Sequence, residues 1–182
     1  MRGITDTVKH LLIINVLMFI GTMAIGSGQL FYSLFGLYFP KNELFQPWQI
    51  ITHMFMHGGI THILFNMLAL WMFGTAVEQV FGKKKFLFFY ISAGLGAALL
   101  QLGYYYFKFY SGMDVLVEAG FEQTQVMDVL SSGYNRYDTR WNSFLTQDQL
   151  SNFVGIFNSS MVGASGAIMG ILVAFGMLFP ES

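Results

Sequence analysis

Four blocks of the chain are almost unbroken runs of apolar residues: 8–25, 60–81, 86–107 and 164–179. An α-helix needs roughly 20 such residues to cross the hydrocarbon core of a bilayer, so these blocks are predicted as membrane spans. Polar positions collect between the blocks instead of recurring within them. The pattern is that of an all-α, multi-pass membrane protein, not of a globule assembled from amphipathic elements. The first block follows Arg2 and Lys9 and runs into Gly26-Ser27-Gly28, which also suits a cleaved signal peptide. Because the later blocks already place the chain in a membrane, an anchor that stays is the simpler reading. The stretch 29–49 mixes Phe31, Tyr32, Phe35, Tyr38, Phe39, Phe45 and Trp48 with Pro40-Lys41-Asn42-Glu43. It is too interrupted to span and is expected to lie in the outer membrane–water interface as a loop with short helical pieces.

The second block ends at Gly82-Lys83-Lys84-Lys85. By the positive-inside rule this triple lysine is cytoplasmic, and so is the Arg2/Lys9 end. Two spans between them satisfy both assignments. The third block then runs outward, with Ser92, Ala93, Gly96, Ala97 and Gly103 offering small faces for close helix packing. Residues 110–159 form a polar outside insert, in which Asp114, Glu118, Glu122, Asp128, Asp138 and Asp148 outnumber Arg136 and Arg140. A surface helix is expected over 113–130. Thr146 and Gln149 fit a capping box ahead of a short helix over 147–157. Asn158-Ser159-Ser160 matches a glycosylation acceptor, a pattern common by chance. The fourth block runs inward. At about 16 residues it is short of a full crossing, so a helix starting below the outer surface would sink its first residues in the membrane beside a water-filled cavity.

Composition agrees with this picture. The chain has 182 residues, of which 54% are hydrophobic and 10% charged, against roughly 25% charged in a soluble domain. A net charge of -1 gives no general attraction for nucleic acid, and none is expected as a partner. The absence of cysteine excludes disulfides, thiolate metal sites and cysteine nucleophiles.

Polar side chains inside membrane helices are costly and mark function by default. His62 and Asn66 stand i, i+4 on one face of the second block, near its outer end. Ser165 heads the last block within Gly163-Ala164-Ser165-Gly166. A serine at a helix start sits beside unpaired backbone N–H groups and the positive end of the helix dipole, where an oxyanion is favoured. Each signal alone has a plainer explanation. His62 and Asn66 can be interhelical hydrogen bonding, and Gly166/Gly170 is a small-xxx-small packing pair. Their coincidence at matched depth on separate helices favours catalysis. His53, His57 and His62 also invite a zinc reading. However, Met54 stands where a zinc protease needs glutamate, and no carboxylate lies between Gln49 and Glu78. His53 and His57 are instead expected to hydrogen-bond at the outer interface, and His10 to be interfacial.

These residues resemble the rhomboid family of intramembrane serine proteases. The likeness rests on Trp48, Thr52-His53-Met54-Phe55-Met56-His57, Thr61-His62-Ile63-Leu64-Phe65-Asn66-Met67, Gly74-Thr75-Ala76-Val77-Glu78 and Gly82, completed by Gly163-Ala164-Ser165-Gly166. The resemblance implies a helical bundle with six core spans, four of them present here. It implies Ser165 as nucleophile, and an oxyanion hole made by the Ser165 N–H, His62 and Asn66. Gly163 would keep the approach open, and Glu78 would tie the cytoplasmic end of the second span to its neighbours. The implied substrates are transmembrane segments of other proteins, cut near the outer boundary of the cell (inner) membrane, with the N-terminus cytoplasmic and no metal or organic cofactor. Three departures stand out. Gln49 replaces a common arginine, and Met169 replaces a common tyrosine. The family's base histidine, in an Ala-His-x-x-Gly motif, follows the nucleophile, yet the histidines here are 10, 53, 57 and 62. The expectation is therefore a C-terminally truncated enzyme, inactive alone, with the general base not in this chain. The alternative is a catalytically inactive relative that binds transmembrane segments.

Overall fold

The computed structural model describes residues 3–181. Arg2, part of the topology reading, and Ser182 lie outside the described residues. The described residues are 75% helical, and the chain divides into two compact units, residues 1–37, 47–99 and 161–182 in one, and 38–46 and 100–160 in the other.

The first unit holds the candidate spans. The first helix is Asp6–Ala24 and the second Ile60–Phe81, and the third, Lys83–Glu118, contributes its residues up to 99. These three are long and apolar enough to cross a membrane, while the fourth, Ser165–Leu178, is shorter. The second helix carries a π-helical turn at Leu70–Gly74. It ends where Gly82 adopts a left-handed φ of 75°, and the third helix begins at the next residue. The apolar core of this unit joins Val8, Leu11, Met54, Leu70, Val77, Phe86, Tyr90 and the inner face of the fourth helix, Ala164, Ala167, Ile168 and Ile171. Small residues set the closest approach. A Cβ on Gly166 would lie 2.6 Å from that of Ala97, and one on Gly170 2.6 Å from that of Ala93. The small face expected of the third span thus includes Ala93 and Ala97. Both glycines of the small-xxx-small pair seat third-helix alanines. Met54, at the position a zinc protease would give to glutamate, packs its thioether on Gly94.

One end of this unit is held by polar contacts. Both Glu78 carboxylate oxygens accept backbone N–H groups from the first turn of the first helix, Thr7 and Val8, each at 3.0 Å. Those N–H groups have no partner within the helix, and a carboxylate there also meets the positive end of its dipole. Lys83 pairs with Asp6 on the same side. Glu78→Ala should therefore lower stability by roughly 2 kcal/mol, since it strands two donors. Thermal denaturation in detergent measures this, and an unchanged midpoint would remove Glu78 from the tie.

The third helix corrects the sequence reading. Its 36 residues reach about 54 Å at 1.5 Å per residue, well beyond the roughly 30 Å of a hydrocarbon core. The expected surface helix over 113–130 is in fact two pieces, the end of this helix and Gln123–Ser131, separated by a turn at Gly120 with φ 96°. The second unit is also more than a polar loop. Phe39, Phe109, Met113, Leu116, Val126, Leu130, Trp141, Phe153 and Phe157 form its own core. The capping box is present, with Thr146 and Gln149 each satisfying the other's backbone N–H at the head of Gln147–Asn158. Asn158, the glycosylation-pattern residue, spends its amide locally, donating to the Val154 carbonyl and accepting from the Asn135 N–H.

Candidate functional site

The segment before the second helix is fixed by its own side chains. The short helix Gln29–Phe35 ends with three carbonyls that need donors. Gln49 Nε2 donates to Ser33 O at 2.9 Å, Trp48 Nε1 to Leu34 O at 2.8 Å and Thr52 Oγ1 to Phe35 O at 2.9 Å. Gln49 thus makes its anchor as a neutral donor. The anchored chain continues through His53 to Gly59 and enters the second helix at Ile60.

His53 and His57 are buried, at 6% and 0% exposure, and of these two expected hydrogen-bonding groups His53 has a ring partner. His53 Nδ1 is 2.9 Å from the Gln49 carbonyl. Neither ring nitrogen of His57 has a hydrogen-bond partner. Burial, then the neighbouring His62, holds the His57 pKa down at about 4, so it is neutral near pH 7. Burial likewise lowers that of His53 against an opposing pull from the Gln49 and Ile50 backbone. Among the described residues no three histidine or acidic side chains gather as a metal site.

His62 lies on the first turn of the second helix. The Gly58 N–H donates to its Nδ1 at 3.4 Å. An Nδ1 that accepts carries no proton, so neutral His62 has its hydrogen on Nε2 and presents that nitrogen as a donor. Gly163 faces it. A Cβ built there would meet His62 Cε1 at 2.9 Å and Nε2 at 3.0 Å, and Ser165 Oγ at 3.6 Å. The bare Cα of Gly163 therefore keeps open a small gap with the His62 donor on one side and the serine hydroxyl on the other. Its φ of 126° is one that side-chain-bearing residues rarely adopt. The gap is held from below, because the Gly163 N–H donates to the His53 carbonyl at 2.8 Å.

Ser165 is exposed and is the first residue of the fourth helix, with Ala164 as N-cap. The first intrahelical bond runs from Ile168 N to Ala164 O, so the Ser165 N–H belongs to the unpaired first turn and has the dipole's positive end behind it. Asn66, one turn along from His62, is 9% exposed, and its Nδ2 is buried without a partner. A buried, unpaired amide donor costs about 1–3 kcal/mol, and such groups call for an explanation. Met169 is 60% exposed.

The structure thus brings His62, Gly163 and Ser165 to one gap and leaves Asn66 with a donor to give. Sequence reasoning missed the His53 carbonyl and the contact of His57 with His62, whose ring centroids are 5.0 Å apart. The His53/His57/His62 spacing was a signal for the second. A backbone carbonyl leaves none.

Comparison with known proteins points to one family. The family model for the Rhomboid domain matches residues 44–121. The chain is 44% identical to rhomboid protease GluP of Bacillus subtilis over 52 residues, 29% of this chain and 10% of that protein. It is 32% identical to rhomboid protease AarA of Providencia stuartii over 127 residues, 70% of this chain and 32% of that protein. Over 57 residues, 31% of this chain and 21% of the relative, it is 39% identical to rhomboid protease GlpG of Salmonella newport. The chain thus matches about a third or less of the length of each of these relatives.

Proposed function

The chain belongs to the rhomboid family, and from that premise we propose that it carries the nucleophile and oxyanion hole of an intramembrane serine endopeptidase acting on transmembrane segments of other membrane proteins. The observation that carries the reading is the gap at Gly163, bordered by His62 Nε2 and Ser165 Oγ. Ser165 Oγ attacks the scissile carbonyl, and the carbonyl oxygen takes up negative charge. The Ser165 N–H, the His62 Nε2–H and the Asn66 amide are the donors for that oxyanion, at positions set before substrate arrives. A buried amide with no partner in the resting state gains one only as the intermediate forms, which stabilises the transition state over the ground state.

The proton on Ser165 needs an acceptor. His62 presents a donor to the gap, His57 is completely buried with its ring packed on that of His62, His53 is buried and gives Gly163 its carbonyl, and His10 lies near the start of the first helix beside Asp6. The reading therefore takes the base from outside residues 1–182 and expects this stretch to be inactive by itself. The protein is an integral membrane protein, and the proposed orientation puts Lys83, Lys84 and Lys85 in the cytoplasm and Ser165 toward the outside of the cell membrane. The lack of a histidine base within these residues favours the second reading, a non-catalytic relative that binds transmembrane segments. The intact serine and its open gap weigh against it.

Covalent labelling distinguishes the two. A fluorophosphonate probe applied to the full-length protein in membranes should leave its adduct on the peptide containing Ser165, read by mass spectrometry. Residues 1–182 alone should stay unlabelled. A full-length protein that is folded and resists the probe is a binding protein, not a hydrolase.

A further inference from the structure

The oxyanion role of His62 depends on which of its nitrogens carries the proton and on where its ring plane lies. Both trace to the peptide joining His57 to Gly58 and to the His57 ring. The carbonyl of His57 accepts the Tyr32 hydroxyl at 3.3 Å. The N–H of the same peptide, that of Gly58, donates to His62 Nδ1 at 3.4 Å. The His57 side chain then turns back on His62 edge to face, with ring centroids 5.0 Å apart and planes at 65°. His57 is completely buried, so its ring is a fixed wall.

We propose that Tyr32 and His57 are positioning residues for the oxyanion hole. Tyr32 locks the His57–Gly58 peptide, that peptide dictates the Nε2–H tautomer of His62, and the His57 ring sets the plane in which this N–H meets the Gly163 gap. The inference rests on the proposed hydrolase reading for its catalytic meaning, but its physical content, one tautomer in one orientation, holds without substrate. A hydroxyl feeding a peptide carbonyl polarises the N–H at the other end of that peptide, so the two hydrogen bonds support each other. The contact from His57 is ring against ring and involves no hydrogen bond between them. An aromatic ring of similar size should serve.

The test is nitrogen NMR of the full chain, ¹⁵N-labelled at histidine, in detergent micelles near neutral pH, with the His62 signals identified by their loss in His62→Gln. Wild type should show His62 with a protonated Nε2 and a bare Nδ1. Tyr32→Phe and His57→Ala should each give a mixture of tautomers, and His57→Phe should restore the wild-type pattern. In the full-length enzyme Tyr32→Phe and His57→Ala should lower kcat about tenfold with KM unchanged, again with rescue by His57→Phe. Should His57→Ala not fold, Tyr32→Phe decides alone. His62 signals that keep the wild-type tautomer in Tyr32→Phe and in any folded His57→Ala overturn the proposal. An altered tautomer in a protein without hydrolase activity would leave the positioning intact and overturn the enzymatic reading instead.

Discussion

A single methyl group at position 163 should cost the full-length enzyme at least about a hundredfold in turnover. Gly163→Ala meets two obstacles together. The φ of 126° lies in the region that residues with a Cβ avoid, a strain of order 1–3 kcal/mol. The new Cβ would also lie 2.9 Å from His62 Cε1 and 3.0 Å from Nε2, and the Gly163 N–H is pinned to the His53 carbonyl. Backbone rotation would relieve the contact only by breaking that bond and shifting Ser165, two residues on. If the backbone holds, the His62 ring must move and its donor leaves the gap. Either displacement approaches the 1 Å that costs about 10² in rate. Gly96→Ala is the control, because nothing lies within 4 Å of its Cβ position in the third helix. That change should preserve turnover and stabilise by up to about 1 kcal/mol. Cleavage rates and melting temperatures of the two variants check the claim, and wild-type turnover in Gly163→Ala would show that the gap is not where chemistry happens.

The apolar helices were legible because each is a long run of apolar residues, and 8–25 and 60–81 read directly as Asp6–Ala24 and Ile60–Phe81, both long and apolar enough to cross a membrane. The third helix was read too short because the reading stopped where composition turned polar near Lys108. Phe109, Met113 and Leu116 continue at helical spacing past that point and are buried in the second unit's core. A helix that packs one side on a core needs only one apolar face, so mean polarity was the wrong signal there and periodicity the right one. Within the candidate site, His62 and Asn66 announced themselves as polar groups one turn apart in an apolar run, and Ser165 by its place at a helix start. What stayed hidden was carried by the backbone. The carbonyls of His53 and His57 and the N–H of Gly58 have no residue signature, yet they hold Gly163 and orient His62.

Asn66→Leu should lower turnover by about 10²–10³, the usual cost of one oxyanion donor, without lowering stability. The two effects have different origins in the same atom. Asn66 Nδ2 is buried with no partner in the resting protein, so the folded state bears a desolvation cost of about 1–3 kcal/mol. Leucine has a similar size and removes that cost. Its melting temperature should match or exceed the wild-type value. A merely structural asparagine would behave the other way, since losing an interhelical hydrogen bond lowers stability first and activity only through it. His62→Ala should show a similar loss of turnover, because its Nε2 is the donor nearest Gly163, and combining it with Asn66→Leu should cost less than the two losses multiplied, since both donors serve one oxygen. A folded Asn66→Leu enzyme that cleaves at the wild-type rate would take Asn66 out of the oxyanion hole and leave its unpaired amide as a packing defect of the second helix.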